Sequence, residues 1–198
     1  MRLSARYLLE RLSGPRTRAD ELSELRQRLV GEYRAGVASQ AEVELAVELG
    51  RLRAGLIAQL GACQACAGCV RPRDPRWPGG HCCSAHTLNL FTADELAALA
   101  LCGTTPGDLI APRGEHRGCS FRSVTGCSLQ VAHRPNICVR FVCRELEAEL
   151  KRRGDYPAIA RTQEAIRAAF ARFVASRTAR IETAALAELE MSLRAPSQ

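Results

Sequence analysis

The sequence predicts a mainly α protein in which helices at both ends enclose a central loop-rich cysteine region. Three observations predict it. Apolar residues recur at three- and four-residue steps near both ends of the chain, the spacing of one helix face. All ten cysteines fall between Cys63 and Cys143. Aromatic residues make up only 5% of a chain that is 46% hydrophobic, so the core is built of Leu, Ala, Val and Ile. With 198 residues the chain is long enough for a real core, and segments 1–62, 63–143 and 144–198 are expected to form one compact domain.

Taken in order, residues 18–34 and 39–60 read as helices. The second carries Val43, Val47, Leu49, Leu52, Leu56 and Leu60 on a wide apolar face. Ser39 followed by Glu42 marks its start as a capping box, and Gly61 stops it. Between 61 and 91 the texture turns to Gly, Pro, Arg and Cys, with Pro72, Pro75, Pro78 and Gly79-Gly80 opposing regular structure. A short helix resumes at Thr92, where Thr92 and Glu95 form a second capping box and Phe91 can pack on Leu96; it ends near Gly103. Residues 104–139 are again turn-rich, with short strands or a cysteine knuckle around Cys119-Ser120-Phe121 and Cys127-Ser128-Leu129. Arg134-Pro135 disfavours helix, after which 139–153 turns helical and ends in Lys151-Arg152-Arg153 before Gly154. Pro157 suits the first turn of a last helix. That helix carries Ile159, Ile166, Phe170, Phe173, Val174, Ile181, Ala185 and Leu189 as its apolar face, either unbroken or interrupted near Ser176.

Charge says less than its size suggests. The net +7 arises from 27 Arg and one Lys against 21 acids, and it divides as +2, +3 and +2 over the three segments. Phosphate-driven binding to nucleic acid wants its cations gathered in one run or on one face, so nucleic acid is not the expected partner. No apolar run approaches the roughly 18 to 20 residues that cross a bilayer, and the first residues, Met1 to Tyr7, lack the apolar stretch of a signal peptide. The expected location is therefore cytoplasmic, with no membrane partner.

The cysteines are spaced Cys63-x2-Cys66-x2-Cys69-x12-Cys82-Cys83, then Cys102, then Cys119-x7-Cys127-x10-Cys138-x4-Cys143. Two-residue gaps let successive thiolates of one turn converge on a metal with backbone N–H groups aimed at the sulfurs. Soft thiolates favour zinc, iron–sulfur clusters or Cu(I) over magnesium or calcium. Two rival uses are weaker. Disulfides need an oxidising compartment, and a single nucleophilic cysteine served by His81, His86, His116 or His133 leaves most of the others without a purpose. Among the histidines only His81, beside Cys82, is a candidate ligand. Cys102, following an apolar run at a helix end, reads as a small buried hydrophobe.

The C-x2-C-x2-C opening with its Cys-Cys pair, the Phe91-Thr92-Ala93-Asp94-Glu95-Leu96 element, Gly118-Cys119-Ser120-Phe121, Gly126-Cys127-Ser128-Leu129 and the stretch Arg134 to Cys143 together resemble the CxxCxxCC cysteine-cluster family. That family comprises zinc- or iron-chelating domains and includes the metal-binding part of flagellin lysine N-methylases. The resemblance covers residues 63–143, and its most specific piece is similar to R-P-x-x-C-R-x-F-x-C, carried by Arg134, Pro135, Cys138, Phe141 and Cys143. It departs from the pattern where Val139 precedes Arg140, and where the pair at Cys82-Cys83 follows a Pro/Gly/Arg-rich insertion after Cys69.

The expected ligand set is Cys63, Cys66, Cys69, Cys82, Cys83, Cys119, Cys127, Cys138 and Cys143. Arg134 and Arg140 are placed to offset the charge of a multi-thiolate anion and to hydrogen-bond its sulfurs. Three cysteines at two-residue intervals followed by a distant fourth match cluster-binding runs more closely than the two close pairs usual in structural zinc sites. The resemblance leans the same way, so the expected cofactor is an iron–sulfur cluster, of 4Fe-4S type, or zinc. Two roles follow as expectations: a redox or methyl-transfer role suggested by the methylase relatives, and a structural zinc module that serves as a scaffold for a protein partner. No G-x-G-x-x-G loop for a nucleotide follows any expected strand.

Overall fold

A computed structural model describes residues 17–60, 87–112, 119–123 and 126–194. The chain is mainly helical. Helix α1 is Arg18–Arg34, α2 Gln40–Leu60, α3 Thr87–Leu90, α4 Ala93–Leu101, α5 Asn136–Arg140, α6 Arg144–Arg153 and α7 Tyr156–Arg194. Single 3-10 turns occupy Pro106–Asp108 and Val131–His133. A two-residue antiparallel pair, β1 Arg122–Ser123 and β2 Gly126–Cys127, matches Arg122 to Cys127.

Helix starts follow local chemistry. Thr17 caps α1 in full, its hydroxyl accepting from the Asp20 N–H while the Asp20 carboxylate accepts from the Thr17 N–H. The two boxes anticipated at Ser39 and Thr92 are only half made. Ser39 Oγ accepts from the Glu42 N–H and Thr92 Oγ1 from the Glu95 N–H, both at 3.2 Å. The glutamates do not reach back. Glu42 takes Arg180 Nε of α7 at 2.6 Å, and Glu95 takes the Asn136 N–H. A buried carboxylate with a cationic or backbone donor across the core gains more than one closing its own first turn.

Helix α4 is the wall between two hydrophobic clusters. Its Ala97 and Ala98 face Leu49 and Leu56 of α2, Val139 of α5, and Ile166 and Phe173 of α7. Its Leu96 and Leu99 face Leu25 and Leu29 of α1 together with Phe91, Phe121 and Leu129. Phe91 and Leu96 thus share a core, as the staple requires. Arg177 of α7 ties the layers together, reaching Glu32 of α1 at 2.6 Å and Asp94 of α4 at 2.8 Å.

Several expectations are corrected. The helix expected over 139–153 is two helices, α5 and α6, separated by extended Phe141-Val142-Cys143. Residues 87–90 form a helical turn inside the stretch expected to be a loop. Helix α2 turns Leu49, Arg53, Leu56 and Leu60 inward and leaves Val47 exposed. The last helix takes the unbroken one of its two expected forms, but Ile181 and Leu189 are exposed where a core face was expected. Gly154 ends α6 in the left-handed conformation, with φ +78°, where a glycine pays no Cβ penalty.

Candidate metal centre

Four of the nine expected ligands, Cys119, Cys127, Cys138 and Cys143, are among the described residues, and the first three come from three pieces of chain. Cys119 opens the turn that leads into β1, Cys127 ends β2, and Cys138 lies in the middle of α5. Cys119 and Cys127 belong to the cluster on the α1 side of α4. Cys138 is within electrostatic reach of both, and each raises its thiol pKa. These are cysteines separated by up to 19 residues, brought into one neighbourhood by the fold. Cys143 stands apart in role: its sulfur accepts the Leu146 N–H at 3.5 Å and caps α6. Cys63, Cys66, Cys69, Cys82 and Cys83, like His81, lie outside the described residues. Among the described residues no group of three or more His, Cys, Asp or Glu side chains closes into a metal-holding arrangement by itself.

Buried polar groups hold the Cys119 turn. Glu21 of α1, 5% exposed, accepts from the Thr87 hydroxyl at 2.7 Å and from the Ser120 hydroxyl. The same Thr87 oxygen accepts the Ser120 N–H at 2.7 Å. Arg18 then straps the turn to α1 by donating to the carbonyls of Pro112 and Arg122. Phe121 closes the turn from the core side, its ring 5.7 Å from that of Phe91. The Phe121 backbone N–H is directed at the Cys119 sulfur, where it favours the thiolate. Such N–H···S contacts are those by which metal knuckles stabilise bound sulfur.

Below Cys138 a second network fills the seam between the cores. Glu95 takes the Asn136 backbone N–H on both carboxylate oxygens, at 3.1 and 3.0 Å. Arg53, only 2% exposed, donates to the Arg134 carbonyl at 3.1 Å and to the Cys102 sulfur at 3.5 Å. Arg134 donates from Nε to the Leu129 carbonyl at 3.0 Å, and its charge favours the Cys138 thiolate. Gln163 of α7 holds the Arg140 carbonyl at 2.6 Å. Asn136 Oδ1, Arg53 Nε and Arg140 Nε are buried without a hydrogen-bond partner among the described residues.

Burial raises the Cys119 and Cys138 thiols above the ordinary thiol range, and the neighbouring sulfurs raise them further. Bare thiols so placed stay protonated at neutral pH. A bound soft cation reverses that preference by ligating the thiolate directly. Arg134, whose charge favours the Cys138 thiolate, suits the net negative charge that several thiolates would leave on one metal. The chemistry of the donors, soft sulfurs at Cys119, Cys127 and Cys138, would fit a thiolate-bound metal.

Cys102 and His133 are placed elsewhere. Cys102 is exposed as a residue, which corrects the reading of it as buried, although its thiol rests on α2 and donates to the Ala46 carbonyl at 3.0 Å. His133 Nδ1 shares a hydrogen bond with Thr104 Oγ1 at 3.0 Å, and Nε2 lies 3.6 Å from Asp108. Those contacts are the bonds of a satisfied polar residue.

Glu95 carries a pH dependence. Burial raises its pKa from 4.5 to about 7, against the opposing pull of the Asn136 N–H, Arg53 and Arg140. Between those values the unfolded chain has released a proton that the folded chain still holds. Stability is thus full below about pH 4.5 and falls as pH rises to about 7, by about 3 kcal/mol at 1.36 kcal/mol per pH unit. Glu95→Gln keeps an acceptor for Asn136 and removes the titration. Urea unfolding between pH 5 and 7.5 is expected to flatten in the variant, and an unchanged slope excludes Glu95 as its origin.

Comparison with models of known families, with curated proteins and with solved structures finds no match. No helix among the described residues is long and apolar enough to cross a membrane.

Proposed function

We propose that this chain is a cysteine-cluster metal protein of the CxxCxxCC kind, whose thiolates hold an iron–sulfur cluster, with zinc as the competing occupant of the same ligands. The observation that carries the reading is that Cys119, Cys127 and Cys138, carried on a turn, a strand and a helix, influence one another electrostatically: burial and the neighbouring sulfurs raise the Cys119 and Cys138 thiols, and Arg134 opposes the rise at Cys138. Cys143, five residues beyond Cys138 at the start of α6, and the cysteines at 63, 66, 69, 82 and 83 complete the donor set.

On this reading the helices at the two ends of the chain enclose the cysteine region. Helices α1 and α4 fix the turn at Cys119, and α2 and α7 hold α5 with Cys138 through Arg53 and Gln163. A bound iron–sulfur cluster supplies one-electron chemistry, and bound zinc supplies folding free energy. Thiolate ligation also places the protein in a reducing compartment such as the cytoplasm.

Protein purified without oxygen and analysed for iron, zinc and acid-labile sulfide tests the proposal. A brown sample with iron and sulfide is expected. A colourless sample with stoichiometric zinc overturns the cluster and leaves a structural metal module; absence of bound metal overturns both.

A further inference from the structure

Two surfaces among the described residues are exposed and complementary. The first is the end of α7. Beyond Arg180, which pairs with Glu42 of α2, residues 181–194 are exposed throughout. Ile181, Ala185, Leu189 and Leu193 follow one another at four-residue steps, and Leu186 falls on the same side of the helix. Leu186, Leu189 and Leu193 are 62%, 56% and 77% exposed. Around this apolar stripe stand three carboxylates, Glu182, Glu188 and Glu190, against the single cation Arg194.

The second surface is a groove of about 980 Å³ between α1 and the segment Ile110–Pro112. Leu22, Val30 and Ile110 give it an apolar floor and lip, and Ile110 is 62% exposed. Among the described residues its charges are of one sign: Arg18, Arg26 and Arg34 line it and no described acidic residue does. The guanidinium groups of Arg18 and Arg26 spend one or two N–H groups on the carbonyls of Pro112, Arg122 and Leu109 but keep their charge. The groove runs the length of α1, 17 residues or about 25 Å, and the exposed end of α7, 14 residues, is about 21 Å long.

We propose that the groove on α1 receives the exposed end of α7 from a second copy of the chain, and that two copies exchange these ends reciprocally. Charge selects the occupant. A second α7 laid along the first sets like carboxylates together, whereas the groove offers arginines to glutamates and an apolar floor to the leucines. The chain's own tail does not fill its own groove. Helix α7 is continuous from Tyr156 to Arg194 and is pinned to the body at Arg177 and Arg180, so residues 181–194 are carried outward. Reciprocal exchange uses the same two patches on both copies and closes as a two-fold dimer.

Sedimentation of the full chain at micromolar concentrations tests this with two variants. In the tail variant Leu189→Asp/Leu193→Asp, both residues are exposed in the single chain. The groove variant is Arg26→Glu/Arg34→Glu, with Ile110→Asp as the substitute if circular dichroism shows the double variant to be unfolded. The wild type is expected to be dimeric, and each variant alone monomeric, with dimer dissociation raised at least tenfold. An equal mixture of the two variants restores a dimer, because the intact tail of one meets the intact groove of the other. A monomeric wild type, a groove variant that still dimerises as wild type does, an unrestored mixture, or growth past the dimer would each overturn the proposal.

Discussion

Serine in place of Cys138 is expected to empty the proposed metal centre. Cys138 is the described cysteine whose surroundings join both halves of the site. Its own helix, α5, places Val139 in the α2/α7 core, while the sulfurs it senses, Cys119 and Cys127, belong to the α1 core. A metal held there ties the two cores across α4. Loss of a supporting residue around a metal typically weakens binding 10- to 100-fold, and loss of a ligand costs more. Cys138→Ser is therefore expected to lose metal by more than 100-fold in affinity and to lower the unfolding temperature of the loaded protein, since binding free energy to a site absent from the unfolded chain is folding free energy. Metal analysis and thermal unfolding check both. Cys102→Ser is the control: its thiol contacts Ala46 and Arg53, and the variant is expected to keep its metal. Full metal content in Cys138→Ser removes that cysteine from the centre.

Phe121→Ala is expected to cost about 3–5 kcal/mol, the range for truncating a buried aromatic. The ring is fully buried and tilted 54° against Phe91, and along the chain Phe121 links Cys119 to the hairpin that carries Cys127. Ser128 closes that hairpin on the Phe121 carbonyl, its N–H donating at 2.9 Å. Removing the ring thus loosens the backbone that sets two of the three converging sulfurs. Phe173→Ala, equally buried but on the opposite side of α4, is expected to destabilise by a similar amount. The two variants separate in thiol labelling under native conditions. Cys119 becomes reactive in Phe121→Ala and remains protected in Phe173→Ala, and equal labelling in both contradicts a local role for Phe121.

Much of the fold is legible in the sequence because the helices announce themselves by period and by cap. Helices α1 and α2 begin and end within a residue of where apolar spacing and, for α2, Ser39 place them. The Gly154 terminus is equally plain. The break at Phe141-Val142-Cys143 is not, because its residues are apolar enough to continue a helical pattern, while the Cys143 sulfur offers the cap that starts α6 afresh. The exposed end of α7 misleads for a related reason: periodicity says that a face is apolar and does not say what covers it.

At the candidate site the cysteines are legible from spacing and their supports are not. Glu21, Arg53 and Glu95 look like solvated helix charges, yet all three are buried. Arg53 alone carries a signal, for it stands four residues after Leu49 and three before Leu56, inside the apolar stripe of α2. A charge in such a position is either a partner to something buried or an error in the assigned face. Its bonds to the Arg134 carbonyl and the Cys102 sulfur decide for the first. Glu21 meets Thr87 and Ser120 across 66 and 99 residues of chain, a pairing no local pattern encodes.

Thiolate ligation itself is read most directly by X-ray absorption at the metal edge of the full chain, purified without oxygen. The expected spectrum has a first shell of sulfur at about 2.3 Å, the distance typical of metal–thiolate bonds. A first shell of oxygen and nitrogen alone would contradict a centre built from these cysteines.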